Sequence, residues 1–238
     1  MLKSLRLSAA CRRLDHWLLP PRCVFCGIST AGSEHGVCEP CRSDLPFNGP
    51  ACPACAAPMG GAPAGLPCAR CRVRPLPLET VIAAFRYAFP VDAAVHAIKF
   101  RRRLEFVPVL ASALAGALCH AGLDADVLVP VPLHGVRHGI RGFNQAFELA
   151  SLVGRDCGLP VSKLASRRRR TRPQTGLDRA ARRRNLQAAF VVDGRPSCRH
   201  ALIVDDVMTT GATAIELAGC LREAGVERVS ALVAARRA

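Results

Sequence analysis

Two stretches of this chain hold residue types at spacings that can do chemistry. The first is a series of four Cys-x-x-Cys pairs, Cys23/Cys26, Cys38/Cys41, Cys52/Cys55 and Cys68/Cys71, separated by eleven, ten and twelve residues. Two thiolates three positions apart can turn toward one ion, and a second pair completes tetrahedral four-sulfur coordination. Eight such ligands suit about two zinc ions. Sequential pairing (Cys23, Cys26, Cys38, Cys41, then Cys52, Cys55, Cys68, Cys71) gives two consecutive ribbons, and a cross-braced arrangement uses the same residues. With every position filled by protein these zincs are structural, supplying folding free energy to a segment with little apolar periodicity.

The second stretch is HALIVDDVMTTGATAIELAGCL. Residues 202–204 read as a buried strand, with Asp205 and Asp206 at its carboxyl end. Thr209, Thr210, Gly211, Ala212 and Thr213 then form a loop that opens a helix. In parallel α/β sheets ligands sit beyond the strand carboxyl ends, and a helix N-terminus offers unpaired N–H groups to a phosphate. Gly211 allows close backbone approach, the hydroxyls add donors, and the two acids can accept from sugar hydroxyls or face a divalent cation. LVPVPLHGVRHGIRGFNQAFELA repeats this strand–loop–helix physics. Pro130 and Pro132 imply terminal or irregular strand pairing. Arg137 and Arg141 flank glycines just before a helix that begins near Asn144, and guanidiniums beside a helix N-terminus suit a ligand carrying several negative charges.

These loops need a scaffold, and the remaining pattern describes one. Strand-like runs (TVIAAFRYAF, DVLVPVPL, VSKLAS, AAFVV, HALIVDD, RVSALVAAR) alternate with helical segments at residues 91–99, 104–121, 143–156 and 212–225. Unbroken apolar strands between amphipathic helices predict an α/β fold, a largely parallel sheet flanked by helices, after a small cysteine-rich double zinc ribbon. The expected domains are a helical leader at 1–22, the ribbons at 23–77 and the α/β domain at 78–238.

Composition narrows the function. Half of the 238 residues are hydrophobic, which excludes disorder along the whole chain, and thirty-three basic against eighteen acidic residues give a net charge of +15. Residues 163–184 alone hold ten basic residues and one acid, so the positive field has one main source. The four arginines at 167–170 read as an anionic surface contact, with nucleic acid one candidate, or as a solvated run. Aromatic residues make up only 5%, so stacking platforms for bases are scarce. The apolar run at 106–119 is short for a bilayer and interrupted by Pro108, Ser112 and Gly116, so no membrane span is expected. Arg12, Arg13 and Asp15 break any signal-like apolar core in the first twenty residues, where Leu5, Leu14, Trp17 and Leu18 favour a short amphipathic helix. The cysteine usage fits a reducing cytoplasm.

LIVDDVMTTGAT resembles the phosphoribosyl pyrophosphate (PRPP) signature of type I phosphoribosyltransferases. With the cysteine-rich head, PVPLHGVRHGIRGFNQA and RTRPQTGLDRAARRRNLQAAF, the chain is similar to the ComF/GntX family from LLPPRCVFCG onward. The resemblance implies a type I phosphoribosyltransferase-like domain behind a double zinc ribbon, and for some members a role in DNA uptake. It implies that Asp205 and Asp206 hold the ribose hydroxyls and that Thr209, Thr210, Gly211, Ala212 and Thr213 wrap the 5′-phosphate. Arg137, Arg141, Gly142, Asn144 and Gln145 fall on the pyrophosphate and Mg²⁺ side. Gln174, Leu177, Arg182 and Asn185 fall on the flexible loop that closes over the site. The chain departs from the family at Pro90, where members usually carry glycine after the aromatic pair.

Two functions follow as expectations. One is a phosphoribosyl transferase acting on PRPP, in DNA uptake or nucleotide metabolism. The other is a non-catalytic module that senses PRPP or holds single-stranded DNA or a protein partner, such as one of DNA uptake. The resemblance also allows a homodimer. Metal analysis of the purified chain should return about two zinc ions per polypeptide; a value near zero would remove the ribbons.

Overall fold

The computed structural model describes residues 21–30, 36–60, 65–133, 139, 141–167, 189–192 and 194–237. Leu5, Leu14, Trp17, Leu18, Arg137, Gln174, Leu177, Arg182, Asn185 and the arginines at 168–170 lie outside the described residues. The chain divides into two compact units, Met1–Leu45 and Pro46–Ala238, so the two four-cysteine groups belong to different units.

In the first unit a turn at Cys23 is closed by the Cys23 amide donating to Ile28 O at 2.7 Å and the Gly27 amide to Cys23 O at 2.8 Å. Helix α1 (Glu39–Ser43) follows, with Cys38 as its N-cap. The second unit begins with the same construction. The Cys52 amide donates to Ala57 O at 2.9 Å, the Ala56 amide to Cys52 O at 2.7 Å, and Cys68 caps helix α2 (Ala69–Val73). The fifth residue of each turn is left-handed, at φ +76° for Gly27 and +54° for Ala56. Glycine takes that conformation freely, whereas alanine pays roughly 1 kcal/mol.

The rest of the second unit is the α/β domain. It runs β1 (Val81–Arg86), α3 (Val91–Arg101), a 3₁₀ turn (Leu104–Phe106), α4 (Val107–Ala121), β2 (Val127–Pro130), α5 (Gln145–Cys157), β3 (Ala165–Arg167), β4 (Phe190–Val192), β5 (His200–Met208), α6 (Ala212–Glu223) and β6 (Arg228–Arg236). The main sheet has the order β1-β6-β5-β2 and every pairing in it is parallel, with Val81 beside Ala231, Ile203 beside Ala231 and Leu128 beside Leu202. β3 and β4 pair antiparallel in a separate ribbon. Pro130 is the last residue of an edge strand, where its missing N–H costs nothing.

Both faces of the sheet are covered, which is why its strands carry no polar alternation. Ile203, Val129, Ala231 and Val233 pack in one cluster with Leu217, Ala218 and Leu221 of α6. On the opposite face α4 packs against β1 and β6, and α5 against β2 and β5. The stretch Leu104–Ala121 does reach the length and mean hydropathy of a bilayer span, 18 residues at 1.6, so the argument from length fails there. Its apolar side is used within the domain, where Leu110, Leu114 and Leu118 are buried.

The second four-cysteine segment is stitched to edge strand β1. Phe47 bridges Phe85 with ring centroids 5.0 Å apart, Thr80 Oγ1 donates to Pro53 O at 2.8 Å, and the Asn48 amide donates to Ala84 O at 2.9 Å. The segment thereby shields a strand edge.

One close approach in α5 is testable. A Cβ on Gly154 would lie 2.6 Å from Leu159 O and 2.9 Å from Val161 Cγ2. Gly154→Ala should destabilise the domain by about 1–3 kcal/mol in urea unfolding, while the solvent-facing Gly116→Ala should not.

Candidate functional site

The cysteines pair sequentially. Within each of the groups Cys23, Cys26, Cys38, Cys41 and Cys52, Cys55, Cys68, Cys71, all four Sγ atoms lie within 4.8 Å of one another. A zinc ion with four sulfurs at 2.3 Å requires S···S separations of about 3.8 Å. Cys26 and Cys38 stand at 3.5 Å and Cys55 and Cys68 at 3.9 Å, so both groups fit structural zinc. Backbone amides also point at sulfur, as the 3.2 Å contact from the Cys68 amide to Cys52 Sγ shows. Burial would raise the Cys23 thiol, but amides of Cys38, Cys26 and Phe25 outweigh it and hold it at about 6. At Cys52 amides of Cys68, Ala54 and Cys55 likewise overcome burial and hold the thiol at about 7.

The loop after β5 is built to present backbone. Gly211 is left-handed at φ +81°, and a Cβ there would meet Met208 Cε at 2.5 Å. It caps α6, whose first turn closes through the Ile215 amide donating to Gly211 O at 2.9 Å. Three successive carbonyls are held from behind. Arg236 Nη1 donates to Met208 O at 3.1 Å and to Thr209 O at 2.5 Å, and Arg70 Nη2 donates to Thr210 O at 3.2 Å. With those carbonyls engaged, the cleft is lined by residues 209–213 together with Asp205.

The side chains of the twin aspartates part in direction. Successive strand residues point to opposite faces, so Asp205 lines the loop cleft while Asp206 turns toward α3 and α5. Lys99 Nζ lies 2.8 Å from Asp206 Oδ2, and Gln145 Nε2 donates to the same oxygen at 3.1 Å. Burial alone would lower Lys99, but the Asp206 charge outweighs it and keeps the ammonium protonated. Burial pushes Asp205 up to about 7; the neighbouring Asp206 charge adds to this, and Lys99 and Arg167 oppose it.

The other expected site residues are spread more widely. Gln145 is buried on Asp206. Asn144 caps α5, accepting from the Ala146 amide at 3.1 Å and donating to Val131 O at 3.1 Å. Gly142 has φ +78°, and the Arg141 guanidinium lies 5.6 Å from the Phe100 ring centroid. Arg167, expected on an anionic surface, lies over the Phe190 ring at 5.3 Å. Lys99, Arg70 and Arg236 were not legible as site residues. The available signal for Arg236 was its place as the first of two arginines that close the apolar run VSALVAA, because a buried cation must find partners.

A parallel sheet with a twin-aspartate strand and a carbonyl-pinned loop, together with two four-cysteine groups, defines an α/β protein with a double zinc ribbon. Residues 14–72 match the family described as "Double zinc ribbon domain". The "DNA utilization protein YhgH" of Escherichia coli K12 is 35% identical over 218 residues, covering 89% of this chain and 95% of its own. "Competence protein F" of Haemophilus influenzae is 28% identical over 217 residues, covering 87% and 93%. A purine phosphoribosyltransferase structure from Pyrococcus horikoshii aligns over 53% of this chain and 70% of its own at 16% identity, with a TM-score of 0.34. The chain belongs to the ComF/GntX family.

The Asp205 shift has a signed consequence. The folded state keeps this proton to a higher pH than the unfolded chain, so its stabilising contribution is present below about 3.9 and lost as pH rises through about 7. In urea unfolding the wild type should therefore lose stability relative to Asp205→Asn between pH 5 and pH 8. An unchanging difference would show that Asp205 titrates normally.

Proposed function

We propose that the cleft after β5 binds PRPP and that the protein acts on it as a phosphoribosyl transferase. The observation that supports this most is the row of carbonyls at Met208, Thr209 and Thr210 held by Arg236 and Arg70. The threonines at 209, 210 and 213 are assigned to the 5′-phosphate, with Gly211 and Ala212 opening the helix against it. Asp205 stands where ribose hydroxyls would follow, and Asp206, braced by Lys99 and Gln145, completes the strand end. Arg137, Arg141, Gly142 and Asn144 are assigned to the pyrophosphate side, and Gln174, Arg182 and Asn185 to the closing loop.

Magnesium would arrive with the pyrophosphate and offset its charge, keeping most of its water ligands. In the transfer the bond from ribose C1 to the pyrophosphate oxygen breaks with its electron pair leaving on pyrophosphate. A nucleophile then bonds to C1 and gives its proton to solvent. The arginines stabilise the departing charge and Asp205 holds the sugar's orientation. The names of the relatives support a place in DNA utilization or competence; single-stranded DNA or a DNA-uptake protein as partner, and nucleotide metabolism as a further setting, belong to the same proposal.

A second reading, PRPP sensing without turnover, is favoured by the Lys99–Asp206 ion pair, which keeps one of the two carboxylates engaged.

Calorimetry with PRPP and magnesium should give a binding isotherm for the wild type, weakened at least about tenfold in Asp205→Asn. Pyrophosphate release across a panel of nucleobases should vanish in the double variant Asp205→Asn/Asp206→Asn. Binding without release supports the sensor, and no heat from the wild type overturns both readings.

A further inference from the structure

Arg236 is a buried guanidinium, 3% exposed, at the end of a central strand. Among the described residues no carboxylate pairs with it. Its contacts are carbonyls: Nε donates to Cys55 O at 2.7 Å, and Nη1 donates to Met208 O, Thr209 O and Arg237 O. One side chain therefore joins the backbone of a cysteine in the second four-sulfur group to the first two carbonyls of the phosphate-type loop. Arg70, which lies between Cys68 and Cys71 on α2, reaches the third, Thr210 O.

A buried guanidinium holds one position only where its carbonyl partners are themselves fixed. The carbonyl that receives Nε belongs to Cys55, and Arg70 stands between Cys68 and Cys71, so both guanidiniums are tied to the segment whose four sulfurs gather around one point. A metal at that point orders the segment, and without it the segment has little core of its own.

We propose that the metal-ordered second four-cysteine segment seats Arg236 and Arg70, and that these positioning residues set the shape of the loop at residues 209–213. Zinc in this site thereby controls readiness for phosphate, beyond stabilising its own ribbon. The proposal deepens the PRPP reading and rests on it for its functional meaning.

Hydrogen–deuterium exchange of the ligand-free, full-length protein tests it, with zinc content measured in parallel. Cys68→Ser should lose one zinc and speed amide exchange at residues 209–213 by about tenfold or more. Cys38→Ser, which also loses one zinc, should speed it less, and amides of α4 should stay protected in both. Arg236→Gln should reproduce the loop effect with about two zinc ions retained. Should that variant fold poorly, Arg70→Ala, on a half-exposed side chain, should speed loop exchange by about threefold. Loop exchange equal in Cys68→Ser and Cys38→Ser, or unchanged in Arg70→Ala, overturns the proposal. No ligand enters the exchange measurement, so this idea can fail while PRPP binding stands, and the converse also holds.

Discussion

β5 is a strand buried on both faces that ends in two acids, and the period-two geometry of a strand obliges those acids to part company. The architecture around the site follows from that obligation. A carboxylate turned into the apolar space between α3 and α5 cannot stay charged alone. The domain supplies Lys99 from α3 and Gln145 from the first turn of α5, both at Asp206 Oδ2. That pairing anchors two helices to the sheet at one atom. It frees the other face, where Asp205 meets the loop cleft with its proton affinity raised by burial and by its neighbour's charge. The strand thus places one acid on the helices and the other on the loop cleft.

The cysteine-rich segments solve a different problem. Each is a turn plus a five-residue helix, too small to bury a useful core. The same hydrogen-bond pattern recurs in both, down to the left-handed fifth residue. Their difference lies in surroundings. The second segment shares a compact unit with the sheet, and its residue Ala56 joins the cluster that includes Ile203 and Leu217.

Much of this was readable in the residues. The cysteine spacing foretold two four-sulfur groups, and the alternation of apolar strands and helices foretold the parallel sheet. Asn144 was rightly placed at a helix start, since its side chain accepts from the Ala146 amide. Local signals of this kind are written into neighbouring positions. The Lys99–Asp206 pair and the reach of Arg236 to Cys55 join residues distant in sequence, and only the folded topology brings them together. One further feature was within reach: alternation along a buried strand sends the Asp205 and Asp206 side chains in different directions. Fine boundaries followed the loops, as where β5 continues past the acids to Met208 because β6 still pairs with it there.

Sheet order and chain order disagree in one respect that bears on biosynthesis. β6 lies between β1 and β5, yet it leaves the ribosome after every other described strand. Until it emerges, β1 and the β2–β5 pair have no shared partner, and the nascent polypeptide exposes two separate half-sheets. Insertion of this final strand into the centre closes the core and delivers Arg236 to the loop in the same event. Before that strand is in place, the carbonyls of Met208 and Thr209 lack the guanidinium that holds them.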